Sequence, residues 1–296
     1  MADTEVVYLD GAYLPRAEAR ISPDDRGFTF GDGVYEVTPI YRGHPLAMEA
    51  RLARLRNGLS QLRIDWDTSA VATIYGELLD RNGLGDAPMV VVYLQVTRGA
   101  ATRTHQFPPA GTLPTVYANA RAYERPSRAE WDKGASAITF PDFRWGRADI
   151  KSLQLLPNVL AQEAARREGA DEAILIRDGI AVEGARSNLL LVRSGVIWTH
   201  PTSNQILTGA TRGVILELAA EKGYEIREGP SPADELARSS EVFLTGSVTE
   251  LRPLVRIDGR PVGTGAVGPV SRDLYEAFLD RITARVEAQR PKGVPA

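Results

Sequence analysis

The chain of 296 residues contains no cysteine. That excludes a disulfide framework, a thiolate metal site and a cysteine nucleophile. Histidine is nearly as scarce: His44, His105 and His200 are dispersed, at no spacing that builds a zinc centre, so no metal is expected. Apolar runs fall short of the ~18–20 residues a membrane span needs. A net charge of −3 with no long basic block argues against a nucleic-acid partner. Met-Ala-Asp-Thr-Glu at the N-terminus reads unlike a signal peptide, and the expectation is a soluble cytoplasmic protein. Lysine is the last shortage. Of 35 basic residues only Lys133, Lys151, Lys222 and Lys292 are lysines, against 31 arginines.

What remains has globular proportions, with 43% apolar and 25% charged residues. Tyr8 to Leu14 reads as a hairpin turning at Asp10-Gly11. Leu52, Leu55, Leu59 and Leu62 recur at helical spacing and predict a helix over 48–62, with a second over 68–81 stopped at Asn82-Gly83. Residues 90–96 are nearly all apolar and β-branched and predict a strand buried on both faces. Another strand is expected at 115–120. The polar stretch 121–128 reads as a linker. Beyond it, strands at 136–140 and 172–176 flank a helix over 157–167. Short strands at 181–182, 187–192 and 196–199 follow, joined by Asp178-Gly179 and Ser194-Gly195 turns. A helix over 211–222, a strand at 241–245, a hairpin through Asp258-Gly259 and a helix over 270–286 complete the pattern. The expected organisation is α+β. Residues 1–120 form a small domain, 121–128 a linker, 129–289 a large domain and 290–296 a frayed tail.

Several segments carry chemistry-bearing residues. Lys151 lies in Ala148-Asp149-Ile150-Lys151-Ser152-Leu153, among apolar residues and just ahead of a helix. A desolvated lysine suits Schiff-base chemistry, and a snorkelling or salt-bridged lysine would read the same way. The other three lysines have solvated flanks, so any lysine nucleophile is Lys151. Leu207-Thr208-Gly209-Ala210-Thr211-Arg212 runs into a helix whose free amides would suit a phosphate, or are simply capped by a threonine. Thr245-Gly246-Ser247 would add hydroxyl donors. Arg103 and His105, two apart in an extended chain, would share a face and clamp a carboxylate, or belong to a polar loop. Tyr35 and Glu183 have equally plain structural readings.

Taken together, these stretches resemble the fold-type IV, or class IV, pyridoxal-phosphate aminotransferases over nearly the whole chain. Residues 25–37, Val96-Thr97-Arg98-Gly99, 103–108, 149–153, Glu183 with Asn188, and 207–212 carry the resemblance. Within the class the chain is most similar to the D-amino acid aminotransferases, through Arg103-Thr104-His105. The resemblance implies a small N-terminal α/β domain and a larger, β-barrel-like C-terminal domain with flanking helices. It implies pyridoxal 5'-phosphate as cofactor, bound covalently by Lys151, which would also carry the proton. Glu183 would pair with the pyridinium nitrogen. Arg54, Leu207, Ala210, Thr211 and Ser247 would complete cofactor binding, with the phosphate on Arg54 and the helix start. Tyr35, Arg103 and His105 would trap the substrate carboxylate, with Arg103 and His105 contributed across a homodimer. The implied reaction exchanges amino groups between D-amino acids and 2-oxo acids. Branched-chain L-amino acid aminotransferase, R-selective amine transaminase and aminodeoxychorismate lyase are rivals within the class. A non-catalytic cofactor- or metabolite-binding protein is the rival outside it. Arg186, where a small serine is common, and Gly246 and Val248, in place of hydroxyl residues, depart from the pattern.

Overall fold

The structure, a computed structural model, describes residues 5–288; the expected tail at 290–296 lies outside them. The chain divides into two compact units, one running to Glu124 and including Ile150–Gln154, the other Arg125–Asp149 with Leu155 onward. The division falls inside the 121–128 stretch read as a linker. Residues 121–122 finish a strand, and Ser127 opens the short helix Arg128–Asp132 with a capping box.

In the first unit six antiparallel strands lie in the order Ala12–Pro15, Val6–Leu9, Val116–Ala122, Val90–Thr97, Gly33–Tyr41 and His44–Pro45. Helices Met48–Leu62 and Val71–Arg81 bury their apolar stripes on it, where Leu55, Leu59, Ile74 and Leu78 meet Val34, Val92, Leu94 and Val96. Strand Val90–Thr97 is buried along one face throughout, and on the other only at Val91 and Thr97, short of the full burial on both faces that its composition suggested. Tyr93 and Gln95 stay half-buried on the face they share with Tyr35.

The second unit is built on a ten-stranded sheet. Strands Asn188–Arg193, Glu241–Gly246, Glu250–Ile257, Ala135–Pro141, Glu172–Arg177 and Ile180–Gly184 pair in succession, and Asn188 pairs back to Glu183. That one residue pair closes a six-stranded ring. Apolar side chains from all six strands, among them Ala137, Ile174, Ala181, Leu191, Leu244 and Leu254, form one cluster. Helices Leu156–Arg167, Ala210–Glu221 and Pro269–Ala288 accompany the ring. At Asp10-Gly11, Asp178-Gly179, Ser194-Gly195 and Asp258-Gly259 both turn residues have φ between 48° and 93°, as two-residue hairpins of this hand require.

Candidate active site

Lys151 belongs to the first unit although it lies far along the chain. Its segment runs beside strand Gly33–Tyr41: the Tyr35 amide donates to the Lys151 carbonyl (3.0 Å), and the Leu153 amide to that of Gly33 (3.1 Å). Val34 and Ser152 pair as an antiparallel bridge between them. The backbone of the lysine is thereby fixed as if in a sheet, and its Nζ stands 4.1 Å from the centroid of the Tyr35 ring. On the other face of that strand Glu36 is wholly buried. Arg54 grips it with two bonds, Nε to Oε2 (3.0 Å) and Nη2 to Oε1 (2.7 Å), and Arg51 Nη1 lies 3.4 Å from Oε1. Burial alone would raise the Glu36 pKa. Arg54, Lys151 and Arg51 outweigh it and hold the carboxyl below its ordinary range. Arg51 is itself fixed by the carbonyls of Leu46 and Val37. Arg54, expected on a phosphate, thus embraces a carboxylate.

Arg103 and His105 stand exposed in the same unit, on a stretch without strand or helix rather than in extended chain. Both still reach one ring: the Arg103 guanidinium lies 4.9 Å from the Phe30 centroid and the His105 ring 5.6 Å from it.

The second unit holds Glu183, also wholly buried. It accepts from Asn188 Nδ2 (2.9 Å), from the Leu207 amide (3.2 Å to each oxygen) and from Arg144 Nη1. Burial pushes its carboxyl up to about 7, although Arg144 and the Leu207 amide pull the other way. Arg144 cannot swing away: Asp142 holds its Nε and Nη2, each at 2.9 Å, and the Gln205 carbonyl takes a further bond from Nη2. Asp142, whose side chain is fully enclosed, also pairs with Arg177 at 2.8 Å. The result is a buried row of alternating charges from Glu183 to Arg177.

Beside it, helix Ala210–Glu221 starts at Gly209 with no side-chain cap. A Cβ on Gly209 would fall 1.9 Å from Asn188 Oδ1, so only glycine lets the helix start come this close. The first turn leaves amides free, and the Thr211 hydroxyl is buried with no hydrogen-bond partner. An enclosed helix start with an unused hydroxyl fits a phosphate group, and the enclosed Glu183 fits a protonated ring nitrogen. The donor set therefore suits pyridoxal 5'-phosphate. Ser247 follows strand Glu241–Gly246, half-buried. The glycine before it is not forced by packing, since a Cβ there would make ordinary contacts at 3.4 Å or more. Arg186 caps the buried Glu172, Nε to Oε2 at 3.2 Å, with most of its side chain in solvent.

Each unit thus holds its own cluster of charged and polar residues. One holds an amine on a tyrosine above a tightly paired carboxylate; the other pairs a buried acid with an anion receptor. The charge partners Glu36, Arg51, Arg144, Asp142 and Arg177 have no role in the sequence reading. Arg144 lies one residue before the Trp145-Gly146-Arg147 that leads to Lys151, the one local hint at its position.

Residues 33–257 match the family model described as amino-transferase class IV. The D-alanine aminotransferase of Bacillus licheniformis is 40% identical over 278 residues, covering 93% of this chain and 96% of that one. Its counterpart from Staphylococcus haemolyticus is 37% identical over 94% of this chain and 98% of its own length. Among solved structures, the Escherichia coli branched-chain amino acid aminotransferase superposes with a TM-score of 0.85 at 25% identity, covering 95% of this chain and 96% of that one. A fold IV-transaminase from Curtobacterium pusillum gives 0.79 at 25% identity, covering 94% and 93%.

Proposed function

The chain belongs to the class IV aminotransferases, and on that premise we propose that it is a pyridoxal 5'-phosphate-dependent transaminase for D-amino acids. It exchanges the amino group of D-alanine-like donors with 2-oxo acids such as 2-oxoglutarate, alternately releasing one product and taking up the next substrate. The observation that carries the reading is Lys151, the one lysine among the described residues that is not exposed, seated over Tyr35 in a chain 40% identical to a D-alanine aminotransferase.

When bound, the cofactor supplies an electron sink conjugated to the substrate's Cα. The protein's residues do the rest. Lys151 Nζ would hold the cofactor through its carbonyl carbon, and the same amine would carry the proton to and from the substrate Cα. Glu183 holds a proton on the ring nitrogen. The free amides of Ala210 and Thr211 and the hydroxyls of Thr211 and Ser247 bind the phosphate, and Leu207 contributes its Glu183-bound amide. Arg54 adds charge to the phosphate while keeping Glu36. Tyr35, Arg103 and His105 bind the substrate carboxylate, with Arg103 and His105 acting in a homodimer partner's site; their exposure in the single chain supports that assignment. We place the enzyme in the cytoplasm. Among the described residues no helix is long and apolar enough to cross a membrane.

Borohydride reduction followed by peptide mapping tests the chemistry: a pyridoxyl adduct on Lys151 is expected, and Lys151→Ala retains no turnover. The substrate class is tested by half-reaction spectra, in which D-alanine bleaches the holoenzyme absorbance. Bleaching by L-leucine or (R)-1-phenylethylamine, and not by D-alanine, would transfer the chain to another branch of the class. The branched-chain enzymes among its structural neighbours make L-leucine the sharpest rival. A colourless protein without adduct would leave a binding module.

A further inference from the structure

The stretch that carries Arg103 and His105 has neither strand nor helix to hold it, yet both residues meet the same ring of Phe30. What fastens it is a pair of buried arginines that share one aspartate. Arg26, 4% exposed, opens the short helix Arg26–Phe30. Its Nε bonds Asp32 Oδ2 (2.8 Å), and its Nη1 donates to the Thr104 carbonyl (2.8 Å), the peptide group between the two substrate-binding residues. The same guanidinium lies 4.7 Å from the Phe30 centroid. Arg98, 7% exposed, grips both oxygens of the same aspartate, Nε to Oδ2 at 2.8 Å and Nη2 to Oδ1 at 2.9 Å. It is anchored in turn by the carbonyls of Leu62 and Arg63 at the end of helix Met48–Leu62. Its plane rests on Phe107, 3.8 Å from guanidinium carbon to ring centroid. Backbone bonds tie the pieces together: Arg26 N to the Gly99 carbonyl (2.9 Å), and Arg98 N to that of Asp32 (3.0 Å).

We propose that Arg26 and Arg98, joined through Asp32, are positioning residues that set where Arg103 and His105 stand, and thereby control affinity for the substrate carboxylate without acting on the cofactor. Arg26 grips one peptide between those residues; Arg98 grips the ring that follows them. Between these two points the stretch has few other attachments, the one within it running from the Thr104 hydroxyl to the Gln106 carbonyl. A lysine at either position keeps the charge but cannot serve two acceptors in a fixed plane. The inference rests on the reading of Arg103 and His105 as carboxylate binders. In a homodimer that shares them, Arg26 of one copy tunes the site of the other.

The experiment compares Arg26→Lys, Phe30→Leu and Arg103→Gln as holoenzymes. It measures the cofactor spectrum, kcat and KM for D-alanine, and the inhibition constant of propionate, a carboxylate without an amine. For Arg26→Lys we expect an unchanged spectrum and kcat within about threefold. KM and the propionate constant rise by about ten- to a hundredfold, the effect of losing a hydrogen bond from a charged donor. Phe30→Leu, which leaves every ion pair in place, moves the same two constants in the same direction. If Arg103→Gln raises both constants and neither other variant does, the positioning role is wrong and the carboxylate reading stands. If Arg103→Gln changes neither, that reading fails and this inference falls with it. Loss of cofactor together with kcat in both Arg26→Lys and Phe30→Leu would make the assembly a general scaffold and overturn the proposal.

Discussion

Replacing Arg144 by glutamine tests the buried charge row through its pH dependence. Burial pushes the Glu183 carboxyl up to about 7 in the folded protein, against an ordinary 4.5. Between those values the folded chain holds a proton that the unfolded chain has released, so on this account stability falls as pH rises through that window. The loss is about 3 kcal/mol for the cofactor-free protein. It ends near pH 7 because Arg144 then pairs with the carboxylate. Glutamine still donates a hydrogen bond but has no charge. Opposite unit charges about 4 Å apart attract by roughly 4 kcal/mol at an effective dielectric constant near 20, which corresponds to about three pH units. In Arg144→Gln the proton therefore stays on Glu183 well beyond pH 9, and the decline continues with a limiting slope of about 1.4 kcal/mol per pH unit. Asp142 retains Arg177 at 2.8 Å, so the break is confined mostly to one end of the row. Other lost bonds offset the two stability curves without changing their slopes. Asp142, Asp32 and Glu36 are all held below the ordinary carboxylate range and titrate outside the window. Urea unfolding of the cofactor-free proteins from pH 5 to 9 reads the result: the gap between wild type and variant should widen by about 2–3 kcal/mol from pH 7 to 9. Parallel curves over that range would refute the coupling.

Two further substitutions separate binding from folding. Thr211→Val removes a buried hydroxyl with no partner. The ligand-free protein should melt no lower, and up to a few degrees higher, while cofactor affinity in equilibrium dialysis falls about tenfold; a lower melting temperature would mean the hydroxyl is structural. Gly99→Ala places a Cβ 1.9 Å from the Leu113 carbonyl oxygen at a φ of 90°. It should cost at least about 2 kcal/mol in denaturant unfolding and loosen the 103–107 stretch, seen as faster cleavage there in limited proteolysis. A variant as stable as wild type would show that the backbone relaxes at no cost.

How much of this was legible in the chain differs from element to element. Helix Met48–Leu62 carries leucines at regular intervals, and the Asp-Gly turns carry their own conformational requirement, so local sequence determines both. Strand Gly33–Tyr41 was visible only as a motif, because it joins two apolar segments to Glu36, whose partners Arg51 and Arg54 lie a helix away. Lys151 emerged by elimination among four lysines. Arg144 could not, being one of 31 arginines whose distinction lies in what Asp142 and Glu183 do in space. Ile150–Gln154 joining the first unit is equally non-local, since nothing in those five residues points to strand Gly33–Tyr41. Sequence neighbours reveal turns and helix faces; charge pairing over tens of residues does not leave such a trace.

The six-stranded ring in the second unit is sealed by the pair Glu183 and Asn188, and Glu183 is also the acid assigned to the cofactor. A ligand that engages Glu183 therefore binds the folded ring and not the open chain. By mass action its occupancy adds to folding stability, about 2.7 kcal/mol at a hundred times its dissociation constant. Supply of the vitamin-derived cofactor would then set the protein's lifetime as well as its activity, and chains made under cofactor shortage would be the ones most readily degraded.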